Sequence, residues 1–220
     1  MTVTEIYILK ETKPLKLEDK LEKAVQLLED SGYSHLAVVR KGVYEGTISL
    51  KQAEERTDLS TKIGNVRSLL NPVYVLNTMD WFDVLQVFAT NNCNALPVID
   101  KEKNYLGYYE IEDFLGLFRQ TPFLHENGMT LIISKGVNDY SFSEIAQIIE
   151  SNNATLFGAF VSAIDQEMAE IILKISLHDI SNTIQTFRRY GYHIINEIHE
   201  DRYLQYLKER ADYLEKYLNI

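Results

Sequence analysis

Residues 96–100 read Leu-Pro-Val-Ile-Asp, and this short apolar run predicts a buried strand that ends in a polar turn. The turn continues to Asn104, and residues 106–109 (Leu-Gly-Tyr-Tyr) predict a second strand. Glu110 is then predicted to open a helix. A weaker version of the same pattern stands about sixty residues earlier, which indicates an internal repeat.

The offset of sixty residues relates two whole helix faces. The first predicted helix has apolar residues at i, i+3, i+4 and i+7, namely Leu21, Ala24, Val25 and Leu28. Sixty residues later these positions hold Trp81, Val84, Leu85 and Phe88. Gly32 and Asn92, which both tolerate positive φ, follow as predicted helix ends. Two amphipathic stretches can share a partial register by chance, but a common face, helix end and following strand favour a tandem duplication.

The same offset relates the segments around these helices. It pairs Ile6 and Leu9 with Val66 and Leu69, Leu36 and Val38 with Leu96 and Val98, and, after a one-residue difference in the turn, Gly46 with Gly107.

Composition restricts the class of protein. The 220 residues suffice for one large or two small domains, and a hydrophobic content of 45% permits a packed core. A net charge of −10 argues against a nucleic-acid partner, which requires clustered Lys and Arg. Cys93 is the single cysteine, which fits a reducing compartment. The first ten residues lack a signal-peptide pattern, and the longest apolar stretch, 156–164, is far shorter than the roughly 20 residues of a membrane helix. We therefore expect a cytoplasmic protein without a nucleic-acid or membrane partner.

The order of helix, Leu-Pro-Val-Ile-Asp strand, turn, Gly107-Tyr108-Tyr109 and second helix resembles the second half of a cystathionine-β-synthase (CBS) domain. On this resemblance, residues 1–120 are a CBS pair with two βαββα copies, one at about 1–60 and one at about 61–120. The family implies clefts between the copies that often hold adenosine nucleotides. The implied ligand is AMP, ADP, ATP or a related adenosine compound.

The nucleotide motif of the family is Gly, two apolar residues, Ser or Thr, two further residues and Asp. A carboxylate can accept hydrogen bonds from both ribose hydroxyls, and a hydroxyl at a helix start lies among free N–H groups that favour phosphate. The resemblance thus makes Gly46 and Ser49 of copy one, and Gly107 and Asp113 of copy two, the candidate nucleotide-binding residues.

Each copy keeps half of this motif. Gln52 replaces the acid of copy one, and Glu110 replaces the hydroxyl of copy two. Glu110 would place negative charge where a phosphate should lie, although an acid also suits the first turn of any helix. Asp113 has the same second explanation. Three outcomes remain open: no nucleotide, a nucleoside-like ligand with little charge at that end, or one weakened site around Ser49.

The second half predicts a different fold. Residues 121–127 form a predicted linker. Within 128–199 the predicted order is βαββαβ, with strands at 129–134, 154–164, 168–176 and 193–198 and helices at 143–151 and 179–190. This is the ferredoxin-like arrangement, so the fold class is α/β for the CBS pair and α+β for this domain. Behind a CBS pair it resembles an ACT domain, a small regulatory fold that often binds amino acids. The whole order is similar to the acetoin-utilisation accessory protein type.

The turn between the first strand and helix of an ACT domain commonly carries an Asp-x-Pro-Gly-like sequence. Here residues 136–141 occupy that turn without the Pro-Gly pair. The resemblance makes Asn138 and Asp139 the candidate ligand residues, and both also suit a turn for its backbone geometry alone.

Residues 200–220 predict a C-terminal helix outside the ACT pattern. Its apolar residues are spaced 3, 4, 3 and 4 apart, namely Leu204, Leu207, Ala211, Leu214 and Leu218. Four tyrosines widen this face, namely Tyr203, Tyr206, Tyr213 and Tyr217. The segment is either an ordinary closing helix or one that docks on its own or a partner subunit.

The sequence shows no convergent set of catalytic residues. Its five histidines lack metal-site spacing, Cys93 has no histidine nearby, and neither a Gly-rich phosphate loop nor a Gly-x-Ser-x-Gly motif occurs. We therefore predict no catalytic residue, no metal and no enzyme. The leading hypothesis is a homodimeric regulatory protein that binds small ligands and modulates an unidentified partner. The alternative is a ligand-free dimerisation or assembly module with vestigial clefts.

Overall fold

The computed structural model describes residues 5–54 and 58–196, and the chain divides into two compact units, Met1–Phe118 and Arg119–Ile220. The first unit contains two copies of one βαββα pattern, and the second contains a four-stranded sheet with two long helices. This confirms the predicted mixture of α/β and α+β structure. The predicted C-terminal helix at 200–220 lies outside the described residues.

Copy one folds around a three-stranded sheet of order β1-β2-β3. Its elements are β1 (Leu15–Lys16), α1 (Leu21–Ser31), β2 (His35–Arg40), β3 (Val43–Ser49) and α2 (Leu50–Glu54). β1 runs parallel to β2, and β2 runs antiparallel to β3. Gly32 ends α1 in the predicted left-handed conformation, with φ of 68° and its N–H donating to the Leu28 carbonyl.

Copy two repeats this arrangement with the order β4-β5-β6. After a 3-10 segment (Ile63–Leu69) come β4 (Val75–Leu76), α3 (Trp81–Asn91), β5 (Ala95–Ile99), β6 (Tyr105–Glu110) and α4 (Ile111–Arg119). Asn92 ends α3 with φ of 48°, as predicted. One detail was wrong: Glu110 pairs with Ala95 as the last residue of β6, so the helix begins at Ile111.

The two predicted helix faces form two separate cores. Leu21, Ala24 and Leu28 are buried in copy one, and Val84 and Phe88 are buried in copy two. A further apolar cluster joins the copies where β2 and β5 meet, and its buried members are Ala37, Val39, Tyr44 and Ile99. The duplicated units therefore pack on each other, as expected for copies that each contain few strands.

The lead-in segment of each copy pairs with the last strand of the other copy. Leu9 precedes the first strand of copy one and bridges Tyr108 of β6, with N···O distances of 2.9 and 3.0 Å. Asn71 precedes the first strand of copy two and bridges Thr47 of β3, with distances of 2.8 and 2.9 Å. This reciprocal exchange ties each copy to the other through backbone hydrogen bonds.

A glycine stands at each of these crossings. Gly107 has φ of 149°, and a side chain there would overlap the Leu9 carbonyl oxygen. Gly46 has φ of 153°, and its Cβ would lie 2.8 Å from the Cβ of Leu70. Both glycines lie beside a shift in strand register. They therefore have a backbone role that needs no ligand, because the lead-in segments approach too closely for a side chain.

The second unit has the predicted βαββαβ order. Its elements are α5 (Pro122–His125), β7 (Met129–Gly136), α6 (Phe142–Ser151), β8 (Leu156–Asp165), β9 (Met168–Ile175), α7 (Ile180–Arg189) and β10 (His193–Ile194). The sheet order is β10-β7-β9-β8 and every neighbouring pair is antiparallel, which is the ferredoxin-like topology. The stretch predicted as a linker contains the single turn α5.

The helices of the second unit cover one face of its sheet. Alternate residues of β7 and β9 are buried in the same core as the apolar faces of α6 and α7; the strands contribute Leu131, Ile133, Ile171 and Leu173. In the part of the chain described, no helix is long and apolar enough to cross a membrane.

Candidate functional site

The first candidate site is a cleft between the copies, which we call cleft A. It is lined by the lead-in of copy one at 12–14, by residues 33–37 at the start of β2, and by residues of β5 and β6 that include Pro97 and Tyr108. Its free volume is about 10 Å³, room for a single water molecule. Cleft A is therefore filled by side chains in this conformation.

A tyrosine network closes cleft A. The Tyr33 hydroxyl donates a hydrogen bond to the Glu110 carboxylate, and it lies 2.8 Å from the Tyr108 hydroxyl. The Thr12 N–H donates to the Tyr108 hydroxyl at 3.4 Å, and the two tyrosine rings meet edge to face at 5.1 Å. Burial, followed by the hydrogen bonds to Glu110 and Tyr108, raises the pKa of Tyr33. The phenol therefore stays protonated and keeps its donor at neutral pH.

Acidic groups lie at the start of α4, beside cleft A and not in its lining, which includes Lys13. Burial raises the pKa of Asp113, and the charges of Glu110 and Glu112 raise it further. A more open hollow of about 220 Å³ lies beside Tyr33 and is lined by Gly32, Glu110 and Glu112, among others. The structure thus brings Asp113 and Glu110 into one electronegative corner, which disfavours a phosphate.

Next to this corner, a reciprocal pair of hydrogen bonds joins Ser34 and Asn94, which are equivalent positions of the two copies. The Ser34 N–H donates to Asn94 Oδ1 at 2.7 Å, and the Asn94 N–H donates to Ser34 Oγ at 3.0 Å. The Asn94 amide also donates to the Gly32 carbonyl at 2.9 Å. Sequence reasoning missed Tyr33, Ser34 and Asn94, although the sixty-residue offset between Ser34 and Asn94 was available to find this pair.

Ser49 is the copy-one counterpart of Glu110 and lies away from cleft A. Its side chain caps a helix. Its N–H donates to Gln52 Oε1 at 2.8 Å, its hydroxyl donates to the same oxygen at 3.0 Å, and the Gln52 N–H donates back to Ser49 Oγ at 3.3 Å. This reciprocal arrangement is a capping box for α2. Gln52, which replaces the acid of the nucleotide motif, thus supports the start of a helix.

The surroundings of Ser49 occupy the position that corresponds, through the repeat, to cleft A. We call these surroundings region B. The Tyr44 hydroxyl donates to the Val73 carbonyl at 2.8 Å, and burial raises the pKa of this phenol. Thr47 is fully buried and donates to the Asn71 carbonyl at 3.0 Å. Region B is therefore closed by core packing and by hydrogen bonds to the backbone.

The second unit carries a separate cavity of about 870 Å³. Its lining includes the turn at 136–139, the β8–β9 hairpin at 166–168 and His193, so the predicted Asn138 and Asp139 do lie at a cavity. The Asp139 carboxylate folds against Gly136, where a side chain would overlap it. Both the turn geometry and a ligand contact remain explanations for these residues.

Lys135 lines this cavity, and its ammonium group contacts two side chains. Its ammonium lies 2.8 Å from Glu144 Oε1 and 4.3 Å from the centre of the Tyr192 ring. The hydrogen bond from Lys135 is the main cause that lowers the pKa of Glu144. The positive charge is thus partly neutralised before any ligand arrives.

Among the described residues, the structure supports neither of two further kinds of site, a metal-ligand cluster and a reactive thiol. Within residues 5–54 and 58–196, no three potential ligands among His, Cys, Asp and Glu come together to hold a metal. Cys93 is buried, and burial raises the pKa of its thiol to about 11. Such a thiol stays protonated at neutral pH and is a poor nucleophile.

Comparison with known families agrees with the repeat. The family model described as CBS domain matches residues 3–53 and 64–119, which correspond to the two copies. The first unit is a tandem pair of CBS domains. CBS pairs are commonly regulatory and non-catalytic modules.

Solved structures are similar at low identity. A CBS domain pair/ACT domain protein from Thermotoga maritima is 17% identical over 54% of this chain and 96% of that chain, with a TM-score of 0.47. CBSX2 in complex with AMP is 15% identical over 55% and 98%, with a TM-score of 0.45. The cytosolic domain of the Mg²⁺ channel MgtE in complex with ATP is 23% identical over 50% and 46%, with a TM-score of 0.42. At these identities the likeness concerns the fold alone. No curated protein matches the chain.

Proposed function

We propose that the protein is a cytoplasmic, non-catalytic regulator whose CBS pair binds one nucleoside-like ligand in cleft A and thereby modulates a partner protein. The hydrogen bond from Tyr33 to Glu110 carries this proposal. Glu110 lines the hollow beside cleft A and accepts from a hydroxyl donor, and ribose hydroxyls supply the same chemistry. Adenosine is the ligand that this chemistry and the CBS family together favour.

The charge of the corner selects against phosphate. Glu110, Glu112 and Asp113 lie together at the start of α4, and the raised pKa of Asp113 reports their mutual repulsion as well as burial. A nucleotide would bring further negative charge to this place, whereas a nucleoside brings hydroxyl donors without that charge. Affinity should therefore fall as phosphates are added.

Cleft A must open for any ligand to enter. Tyr33 is only partly buried, so its ring can turn outward at the cost of its contacts with Tyr108 and of the hydrogen bond to Glu110, whose carboxylate water can then solvate. Tyr44 on the other side is buried and bonded to the backbone. We therefore assign the ligand to cleft A and not to region B.

A thermal-shift series with adenosine, AMP, ADP and ATP tests the proposal. At 100 times its Kd, a ligand that binds only the folded state adds roughly 2.7 kcal/mol of stability. We expect the largest shift with adenosine and progressively smaller shifts with added phosphates. A larger shift with ATP would contradict the selection against phosphate, and no shift with any of the four would reject ligand binding at the pair.

The second candidate function is a ligand-free assembly module. The free volume of about 10 Å³ in cleft A and the capping box at Ser49 favour it, because both features are complete without a ligand. In that case Tyr33→Phe changes stability alone and leaves every ligand titration flat.

We also propose that the second unit is an ACT-like domain that binds an amino acid near Asn138 and Asp139. Its strand order and the cavity at its first turn support this, and a CBS pair followed by such a domain is the order of the acetoin-utilisation accessory protein type. A calorimetric titration with the twenty amino acids checks it. An absence of binding heat across the set would leave the domain without this role.

The proposed assembly is a homodimer. Phe82 and Leu115 of copy two are large apolar residues that remain exposed on α3 and α4, which favours a contact there. Sedimentation at micromolar concentration should give twice the chain mass. A mass near 25.5 kDa would reject the dimer.

A further inference from the structure

The sheet of the second unit has an apolar row on the face opposite α6 and α7. Ile132 pairs with Ile172, and Ile172 pairs with Phe160, so these three side chains lie side by side across β7, β9 and β8. Ile195 extends the row beyond β7, since its N–H donates to the Ile132 carbonyl at 2.8 Å. We call these four residues the open row.

The open row is exposed at both ends and polar on both flanks. Phe160 and Ile195 are 43% and 48% exposed, and the Phe123 ring of α5 covers part of Phe160, with the two ring centres 5.5 Å apart. Lys174 on one flank and Glu170 on the other are the neighbouring β9 residues of the same face. An apolar strip of this kind, bordered by polar residues, is typical of a surface that another segment covers.

The chain leaves the described structure beside this row. The Asn196 side chain donates to the Thr130 carbonyl at 2.7 Å and accepts from the Ile132 N–H at 2.8 Å, which fixes the last described residue against β7. The 24 residues at 197–220 follow from that point.

The apolar seam predicted in this last segment is wide enough to cover the open row, and the segment is long enough to reach it. Its apolar seam is widened by four tyrosines, and a wide apolar stripe is typical of a helix that packs on a broad surface, whereas a coiled coil needs a narrower seam. A helix over 204–218 would be about 22 Å long, against about 14 Å for a four-strand row. The connection at 197–203 can span up to about 23 Å, which is enough to turn back onto the sheet.

We propose that residues 204–218 pack as an amphipathic helix onto the open row of their own subunit. The short tether places this segment at a millimolar effective concentration beside the row, so it outcompetes the same segment of a second chain. The packing makes the second unit a three-layer structure with its sheet between helices. This inference does not depend on ligand binding at the CBS pair.

Photo-crosslinking of the full chain tests the proposal. With p-benzoylphenylalanine replacing Phe160, we expect cross-links to peptides from 201–220, and a mixture of ¹⁵N-labelled and unlabelled protein should show them within one chain. The same probe replacing Tyr190, which is exposed at the end of α7, should not reach this segment. Cross-links between chains, or none to 201–220, would overturn the proposal.

Two variants that each add one negative charge distinguish packing through the apolar seam from mere proximity of the segment to the open row. Leu207→Asp places one negative charge in the seam, and Gln205→Asp places the same residue outside it. We expect loss of the Phe160 cross-link in Leu207→Asp and its retention in Gln205→Asp. Loss in both variants, or retention in both, contradicts packing through the seam.

Discussion

Tyr33 and Tyr44 lie on opposite sides of the CBS pair, and they close those sides with different partners. Tyr33 donates to the Glu110 carboxylate at a partly exposed position, whereas Tyr44 is buried and donates to the Val73 carbonyl. A carboxylate can exchange one donor for another or for water. The Val73 carbonyl is a fixed backbone group at a half-buried position, so water replaces a lost donor less readily there and part of the desolvation penalty remains.

The two sides also differ at the start of their last helices. Gln52 completes a capping box with Ser49, whereas the corresponding Asp113 lies near Glu110 with a raised pKa. The two copies thus differ at equivalent positions: region B is a structural joint, and cleft A lies beside an electronegative corner. The variants below test this difference.

The largest effect should come from the two glycines at the exchanged segments. Gly107→Ala drives a Cβ into the Leu9 backbone, whereas Gly46→Ala meets mainly the Leu70 side chain, which can move. We expect losses of about 3 and about 2 kcal/mol in the free energy of unfolding, measured with urea. Equal losses, or the reverse order, would mean that the two crossings are equally rigid.

The next effect compares the two tyrosines. Tyr44→Phe leaves the half-buried Val73 carbonyl without the donor of the buried Tyr44 and should cost about 2 kcal/mol. Tyr33→Phe should cost less than about 1 kcal/mol, because water can solvate the partly exposed Glu110 carboxylate. Urea melts of both variants give the comparison. A greater loss in Tyr33→Phe would show that cleft A is the rigid side.

The helix cap should have a smaller effect and none on ligand binding. Gln52→Ala removes one half of the capping box and should lower stability by about 1 kcal/mol. The adenosine-induced thermal shift should stay unchanged in Gln52→Ala and should fall in Glu110→Gln. A shift that depends on Gln52 would move the ligand to region B.

The smallest effect is a pH dependence. The raised pKa of Asp113 means that its carboxyl group holds the proton more tightly in the folded state than in the unfolded state. Its contribution to the free energy of unfolding therefore falls as the pH rises from the ordinary pKa of 3.8 through the raised pKa. Asp113→Asn should remove that loss and make the protein slightly more stable at pH 7. Melting temperatures from pH 3.5 to 7 measure it.

Asp58 is a control of opposite sign. Hydrogen bonds from Ser60 and Thr61 lower its pKa, so its contribution to stability is present at neutral pH and is lost as pH falls through the lowered value. Asp58→Asn should therefore be less stable than the parent protein at pH 7. Matching signs for Asp58 and Asp113 would refute the electrostatic account of cleft A.

Much of the fold was predictable because its signals are local. The apolar spacing of α1 and α3, the left-handed residues Gly32 and Asn92, and the βαββαβ order all depend on neighbours within a few residues. Even the capping box was legible, since Ser49-x-x-Gln52 is a known cap pattern. It was overlooked because the comparison with a nucleotide motif made Gln52 look like a missing acid.

Local sequence patterns are enough to predict a duplicated α/β unit followed by a ferredoxin-like sheet, because periodicity and turn chemistry need no distant partner. How the copies are joined and how the clefts are closed depends on long-range packing. The Leu9 bridge to Tyr108 and the Tyr33 bond to Glu110 connect residues 99 and 77 positions apart. Such contacts depend on how whole elements pack, and no local pattern records which distant side chain will meet which carboxylate.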